Sequence, residues 1–144
     1  MAQIYVAAPF FDAAQTKRLD QVLAALQVNK SVTGVFSPRD DTNKAKLEEN
    51  SPGWQRQVFG EDIQGLHQAT TMVAILDYVG DTPDPGTAFE IGYAYAHHMP
   101  IVAVQVGKMP MNLMLAGSIT CFVQEIAELK TLDLAHVLVR PYVG

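Results

Sequence analysis

Three carboxylates lie at positions where acid–base or nucleophilic chemistry could be placed. Asp84 and Glu90 lie six residues apart in the segment DPGTAFE, across the start of a predicted helix. Asp62 falls within the apolar stripe of an earlier predicted helix, between Val58 and Leu66. A buried carboxylate is costly unless it is paired or protonated, and its pKa tends to rise. Asp62 is therefore either a structural residue bonded to the backbone or an acid or ligand contact.

Glu90 has two interpretations from its local spacing. Thr87 and Glu90 form the Thr-x-x-Glu pattern of a capping box, whose side chains bond to backbone N–H groups at a helix start. Asp84, which lies in a predicted turn at 81–86 and precedes Pro85, matches an Asx-turn or a helix N-cap. The positive end of the helix dipole favours an ionised Glu90, as a nucleophile needs. We therefore predict a lowered pKa for Glu90, and its capping and chemical roles both remain open.

Aromatic and polar side chains near predicted strand and helix ends could complete a site. Tyr5 lies within the first predicted strand, where a buried hydroxyl needs a hydrogen-bond partner. Phe10 and Phe11 follow that strand, and Trp54 lies at the start of a helix. These rings could stack on a planar ligand, but core packing accounts for them equally well. Asn112 matches a helix cap as well as a ligand contact.

Short apolar runs alternate with longer amphipathic stretches along the chain. The apolar runs predict five strands, at 3–9, 33–38, 70–78, 100–106 and 118–123. The amphipathic stretches predict helices at 12–28, 52–68, 87–98, 110–117 and 124–137, and the polar stretch 40–51 predicts a loop or lid. This alternation predicts a single α/β domain, 1–144, with a doubly wound, flavodoxin-like parallel sheet in the order 2-1-3-4-5 and helices on both faces. Ligands of such sheets bind beyond the carboxyl ends of strands 1 and 3, where the strand order reverses.

Composition narrows the function classes. The formal net charge of the 144 residues is −5 without a Lys/Arg cluster, which argues against nucleic acid or an anionic membrane as a partner. No apolar run reaches the roughly 20 residues of a membrane helix, and no basic, apolar leader is visible. The single cysteine, Cys121, favours a reducing compartment, so we expect a cytoplasmic protein. Nucleotide-binding glycine motifs are absent from the sequence, and the adjacent His97 and His98 lack the spacing of a helical zinc site, so we expect no metal.

Four segments together resemble the nucleoside 2-deoxyribosyltransferase family. They are IYVAAPFF at 4–11, WQRQVFGEDIQGL at 54–66, DPGTAFEIGYA at 84–94 and MNLM at 111–114, in the family's order and at about its spacing. The resemblance implies a flavodoxin-like enzyme that moves a 2-deoxyribosyl group between nucleobases through a covalent sugar–enzyme intermediate. Its substrates would be deoxynucleosides and free nucleobases, and no cofactor or metal is implied.

The resemblance also implies residue roles. Glu90 would be the nucleophile that attacks the anomeric carbon, and Tyr5 would orient its carboxylate. Asp62 and Asp84 would contact the base and the sugar, one of them delivering a proton to the leaving base. The other residues implied in substrate binding are Phe10, Phe11, Trp54, Gly86, Asn112 and Met114. In the family's homo-oligomer, commonly a hexamer built from dimers, Asn112 and Met114 would complete a neighbour's site, with Asn112 near the 5′-hydroxyl.

One departure from the family concerns the base. Family members often carry a Gln after strand 2 that helps to hold the base, whereas this chain has SPRDDTNKAK there. Asp40, Asp41 and Asn43 are candidates for its replacement. The segments PFFDAAQ and AFEIGYAYAHHMPIVAV resemble purine-preferring members of the family, so the resemblance slightly favours purine bases. Two alternatives remain open: a 2-deoxynucleoside 5′-monophosphate N-glycosidase, and a non-catalytic nucleotide-binding module.

Overall fold

The computed structural model describes residues 1–80 and 82–143, so Asp81, the first residue of the predicted turn at 81–86, lies outside the described residues. The strands are β1 (Ala2–Ala7), β2 (Val32–Phe36), β3 (Thr71–Ile75), β4 (Ile101–Val104) and β5 (Cys121–Val123). The helices are α1 (Ala13–Gln27), α2 (Pro38–Asp41), α3 (Pro52–Gln68), α4 (Pro85–Ala96) and α5 (Leu113–Ser118), and a 3-10 helix covers Ile126–Lys130. No helix among these residues is long and apolar enough to cross a membrane.

The five strands form one parallel sheet in the order β2-β1-β3-β4-β5. This confirms the predicted α/β class and the flavodoxin-like strand order. β1 lies between β2 and β3: Tyr5 pairs in register with Phe36 of β2 and with Met72 of β3. The order reverses between β1 and β3, so the segments that follow these two strands lie on opposite sides of the switch point.

The two faces of the sheet carry separate apolar cores. Ile4 and Val6 point toward α1 and the 3-10 helix, where they pack with Leu19 and Leu129. Tyr5, which alternates with them along β1, points to the opposite face with the buried side chains of α3, α4 and α5. A strand buried on both faces must be apolar throughout, as the uninterrupted runs of β3 and β4 are. The alternation places the Tyr5 side chain under the helices that carry the carboxylates.

The helices α3 and α4 begin at side-chain caps followed by proline. Ser51 accepts a hydrogen bond from the Trp54 N–H ahead of Pro52, as the sequence predicted. Asp84 does the same for Thr87 N–H ahead of Pro85, so α4 begins two residues earlier than predicted. Of the two interpretations left open for Glu90, the capping box with Thr87 does not hold, because Asp84 caps the helix.

The last predicted helix, 124–137, is also wrong. A 3-10 helix covers only Ile126–Lys130, and irregular turns follow it. The Asn29 amide donates to the carbonyls of Leu129 and Leu132, at 2.6 and 2.8 Å. Tertiary partners thus take the carbonyl groups that a longer helix would need. The prediction of a loop at 40–51 holds except at its start, where α2 forms a single helical turn that ends at Asp41.

Candidate active site

A cavity of about 650 Å³ opens beyond the carboxyl end of β1, on the sheet face that carries α3 and α4. We call it the carboxylate cleft. Its walls come from the segments after β1 and β2 and from the two helices. Six of the predicted site residues line it: Phe10, Phe11, Trp54, Asp62, Gly86 and Glu90. Residues more than 80 positions apart in the sequence thus meet at the edge that topology predicted.

The carboxylate of Glu90 is held from below by Tyr5. The Tyr5 hydroxyl donates a hydrogen bond to Glu90 Oε2. The Tyr5 ring is fully buried and stacks on Phe36 at a centroid distance of 5.4 Å, which fixes the position of the hydroxyl. Burial and the adjacent negative charge of Glu90 raise the pKa of Tyr5, so the hydroxyl stays protonated as a donor. Glu90 bonds to this side chain, whereas the Thr87 N–H bonds to Asp84.

The pKa of Glu90 is raised, and the predicted lowering is wrong. Burial is the main cause of a pKa of about 8, and the charges of Asp62 and Asp84 raise it further. The Tyr5 hydrogen bond acts in the opposite direction but is outweighed. Because α4 begins at Pro85, Glu90 lies in its second turn, where the helix dipole has little effect. Desolvation is therefore the dominant influence on the pKa of Glu90.

Asp62 faces the cleft from α3 without a full set of partners. Its Oδ1 atom is buried and has no hydrogen-bond partner among residues 1–80 and 82–143. Burial raises the pKa of Asp62 to about 6, and the charge of Glu61 adds to this rise. Such an oxygen costs free energy in a resting protein unless a ligand or a proton satisfies it. The geometry favours an acid or ligand contact over a backbone-bonded structural carboxylate.

Asp84 lies below the cleft surface and caps α4. Its Oδ2 accepts hydrogen bonds from the N–H and the hydroxyl of Thr87, both at 2.8 Å. The residue is 8% exposed. The N-cap interpretation thus describes its contacts, while its charge contributes to the raised pKa of Glu90. A substrate contact by Asp84 remains a prediction.

Aromatic rings form the outer walls of the cleft. Phe10 and Phe11 stack at 5.8 Å, and on the opposite side Phe59 and Phe89 lie 6.2 Å apart. Phe11 is 69% exposed and Phe89 is 54% exposed, so their faces are available to a ligand. Sequence reasoning missed Phe59 and Phe89 as lining residues. Their positions one turn before Asp62 and directly before Glu90 were the available signal.

The segment after β2 forms one wall of the cleft, but only one of its three candidate residues lines it. Asn43 does so, with its side-chain amide engaged by Leu47. Asp41 instead accepts from the Ser37 N–H, and Asp40 pairs with Arg39. Two lining residues that sequence reasoning missed are Arg39 and Thr42. Arg39 is paired with Asp20 at 2.7 Å as well as with Asp40, so its charge is already compensated.

Asn112 and Met114 do not reach the carboxylate cleft of their own chain. Asn112 caps α5 by accepting from the Met114 N–H at 2.8 Å. It lines a smaller cavity of about 200 Å³, the Asp77 pocket, together with Asp77 and Gln105. The Met114 side chain is 74% exposed. Within one chain the structure therefore supports the cap interpretation of Asn112, and the role in a neighbour's site remains a prediction.

Comparison with known proteins identifies the family. The model of the family described as nucleoside 2-deoxyribosyltransferase matches residues 4–128, a range that contains Tyr5, Asp62, Asp84 and Glu90. The chain belongs to the nucleoside 2-deoxyribosyltransferase family. The predicted family, the flavodoxin-like fold and the prediction of an enzyme that acts on N-glycosidic bonds are confirmed.

Individual relatives agree with this family membership. A nucleoside deoxyribosyltransferase from Limosilactobacillus fermentum is 30% identical over 154 residues, which cover 97% of this chain and 90% of the relative. The structure of a 2-deoxyribosyltransferase from Bacillus psychrosaccharolyticus is similar with a TM-score of 0.82 and 30% identity, covering 99% of this chain and all of the other. A CMP N-glycosidase from Clostridium botulinum, at 16% identity and a TM-score of 0.61 over 89% of this chain and 96% of that one, shares the fold.

Proposed function

We propose that residues 1–144 form a single domain that transfers a 2-deoxyribosyl group between nucleobases through a covalent glycosyl-Glu90 intermediate. One observation carries the proposal. A carboxylate oriented by a buried tyrosine hydroxyl lines the same cleft as a second carboxylate that has an unpartnered oxygen. Two carboxylates with different environments are the arrangement that retaining glycosidic chemistry uses.

In the first step Glu90 attacks the anomeric carbon of the deoxynucleoside. A C–O bond forms to the carboxylate as the C–N bond to the base breaks, and the bonding electron pair leaves with the base nitrogen. The transition state has oxocarbenium character, which a carboxylate next to the anomeric carbon stabilises. The Tyr5 hydrogen bond supports the ionised form of Glu90 and holds one of its oxygens in place.

The leaving base takes a proton from Asp62. We assign this role to Asp62 and not to Asp84, because Asp62 Oδ1 has no partner among the described residues, whereas Asp84 Oδ2 is committed to Thr87. In the second step an acceptor base attacks the anomeric carbon. Its nitrogen loses a proton to Asp62, and Glu90 is released as a carboxylate. The two steps balance without a metal or cofactor.

The two carboxylates share one proton in the working enzyme. With a pKa of about 6 for Asp62 and about 8 for Glu90, the singly protonated pair predominates between these values, and its proton resides mainly on Glu90. The reactive form, with a protonated Asp62 and an ionised Glu90, is the minor one of the two and reaches its largest share in the same window. Below this window Glu90 cannot attack, and above it Asp62 cannot protonate the base. We therefore expect a bell-shaped pH profile of kcat/KM, with limbs near pH 6 and pH 8.

The charges of the cleft favour an uncharged nucleoside over a nucleotide. Glu49, Asp62 and Glu90 line the cleft, and the charge of Arg39 is compensated by Asp20 and Asp40. A 5′-phosphate would meet acidic groups there without a free cation among these lining residues, which argues against the monophosphate N-glycosidase. The aromatic walls offer stacking surfaces for the base. A cavity of about 650 Å³ leaves room for a two-ring base, in line with a slight purine preference.

We further propose a homo-oligomer, with a hexamer as the expected form, in which Asn112 and Met114 complete a neighbour's cleft. The support is an exposed apolar surface at α5, where Leu113 is 81% and Met114 is 74% exposed. Mixing an inactive Glu90→Gln chain with an inactive Asn112→Ala chain tests this idea. Activity restored in the mixed oligomer supports a shared site. A monomeric mass measured by light scattering would contradict it.

A role in cytoplasmic nucleoside salvage suits the single free cysteine, Cys121.

A base-exchange assay tests the transfer. Deoxyinosine and free adenine are incubated with the protein, and the products are separated by chromatography. Deoxyadenosine that forms faster than free deoxyribose supports transfer, and sugar release alone points to a glycosidase. Intact-mass measurement with a 2-fluoro-2-deoxynucleoside tests the intermediate. An adduct that is absent in Glu90→Gln supports covalent catalysis. No adduct and no product would favour a binding module.

A further inference from the structure

Glu61 joins α3 to the loop that covers the cleft. Its carboxylate accepts a hydrogen bond from the Asn43 N–H at 3.1 Å, across 18 positions of sequence. Asn43 lines the carboxylate cleft, whereas Glu61 is half-buried behind it on the helix that carries Asp62. The contact therefore ties a wall of the cleft to the helix that presents a carboxylate of the site.

The loop is built so that this contact holds it as a unit. Asn43 has a left-handed backbone conformation, with φ at 54°. Its side chain bonds in both directions to the backbone of Leu47, accepting from the N–H at 2.9 Å and donating to the carbonyl at 3.1 Å. Residues 43–47 thus form a compact turn. Glu49, just after this turn, also lines the cleft, so displacement of the turn moves the cleft wall.

Glu61 also acts on Asp62 through its charge. Consecutive residues of a helix do not face each other, so the two carboxylates make no direct pair. The negative charge of Glu61 nevertheless raises the pKa of Asp62, after the larger effect of burial. The other ionisable groups that share the cleft or lie beneath it come from four parts of the fold: Tyr5 from β1, Arg39 from α2, Glu49 from the loop after α2, and Asp84 and Glu90 from the start of α4. Glu61 thus contacts the loop directly and acts on Asp62 through its charge.

We propose that Glu61 is a positioning residue, which fastens the 42–50 loop over the cleft and favours the proton on Asp62. This inference rests on the proposed deoxyribosyl transfer. The two effects act on different steps. The loop contact acts on binding of the base, because the loop closes the cleft wall. The charge acts on the proton transfer, because only the form with a protonated Asp62 and an ionised Glu90 reacts.

A pair of variants separates the two effects. Glu61→Gln keeps an oxygen that accepts from the Asn43 N–H but removes the charge. We expect the acidic limb of the pH profile to move down by roughly half a pH unit, and the maximum of kcat/KM to fall about threefold, with an unchanged KM for the base. Glu61→Ala removes both, so the KM for the acceptor base should also rise about fivefold. Glu125→Gln, which removes one charge on the opposite face of the sheet, should leave both quantities unchanged.

Two measurements without turnover complete the test. Hydrogen–deuterium exchange of peptides over 42–50 should increase in Glu61→Ala and stay unchanged in Glu61→Gln. Carbon-13 NMR titration of the Asp62 carboxyl should give a lower pKa in both variants. Unchanged loop exchange in Glu61→Ala, or an unchanged Asp62 titration in Glu61→Gln, would overturn the corresponding half of the proposal. If the unmodified protein transfers no deoxyribosyl group between bases, the proposed function fails, while these two measurements still decide the role of Glu61.

Discussion

The carboxylate cleft and the Asp77 pocket lie beyond the carboxyl ends of neighbouring strands, yet their aspartates differ in how their oxygens are hydrogen-bonded. Both oxygens of Asp77 accept backbone hydrogen bonds, from Val106 at 2.9 Å and from Gly107 at 2.7 Å. Asp62 in the cleft has a buried oxygen without a partner among the described residues. The first aspartate fastens the loops after β3 and β4 to each other. The second has a free acceptor that a ligand or a proton would satisfy, and this difference supports the proposed chemical role of Asp62.

The most severe test of this contrast is Glu90→Gln. The variant keeps the shape of the side chain and an acceptor for the Tyr5 hydroxyl, but an amide cannot form the glycosyl ester. We expect base exchange to fall by roughly 10⁴-fold or more, because a covalent nucleophile is lost. The chromatographic base-exchange assay measures this. Retention of ordinary activity by a folded variant would remove Glu90 from the mechanism.

The same variant should change how stability depends on pH. The pKa of Glu90 rises from 4.5 to about 8 on folding. Between these values the unfolded chain ionises this group before the folded chain does, so folding stability falls as pH increases and levels off above pH 8. Glu90→Gln should flatten this decline in urea unfolding measured from pH 5 to pH 8. An equally steep decline in the variant would contradict the raised pKa.

Asp62→Asn is expected to cost catalysis and spare stability. Loss of a proton donor should lower kcat by roughly 10²- to 10³-fold. The alkaline limb of the pH profile should also disappear, because activity would then simply rise with the ionisation of Glu90. Because Oδ1 of Asp62 has no partner among the described residues, urea unfolding should give an unchanged or slightly larger free energy of unfolding. A stability loss comparable to that of a core substitution would make Asp62 a structural residue.

Asp77→Asn should give the reverse pattern. The amide group would face one of two backbone N–H donors, so the free energy of unfolding should drop by about 1–3 kcal/mol. Activity per folded molecule should remain within roughly threefold of the unmodified protein, because Asp77 does not line the carboxylate cleft. Thermal unfolding and base exchange, measured on the same sample, decide this. A large loss of activity at unchanged stability would erase the contrast between the two pockets.

The sequence was sufficient for the sheet and for the principal carboxylates, because both depend on local patterns. Continuous apolar runs identify buried parallel strands wherever they occur. Asp62 is noticeable because it interrupts an apolar stripe on α3, and Ser51 and Pro52 mark the start of that helix. The resemblance to a family supplied what these patterns could not, the proposed role of Glu90 as nucleophile.

Features that depend on distant partners could not be predicted. The end of the 3-10 helix is set by Asn29, which lies 100 positions before Leu129 in the sequence. The raised pKa of Glu90 follows from burial beneath a cleft that exists only after folding. The contact of Glu61 with Asn43 depends on a left-handed loop conformation. Local patterns give the elements, whereas protonation states and loop anchors emerge from their packing.

The smallest expected effect concerns how each carboxylate is held. Asp77 is bound by backbone donors, which side-chain truncation does not remove, whereas Glu90 is bound by the Tyr5 side chain. Tyr5→Phe deletes a hydrogen bond that lowers the pKa of Glu90, so this pKa should rise above about 8. The reactive form with an ionised Glu90 becomes rarer. We therefore expect kcat/KM to fall about tenfold and the alkaline limb of the pH profile to move to higher pH.

Tyr78→Phe is the matched control for this last variant, because Tyr78 lines the Asp77 pocket. It removes the same hydroxyl group from the other region and should leave the pH profile unchanged. If Tyr5→Phe also left the alkaline limb unchanged, the hydroxyl would not act on the ionisation of Glu90. Tyr5 would then only fill the core beneath α4, and the orientation of Glu90 would have to come from the substrate itself.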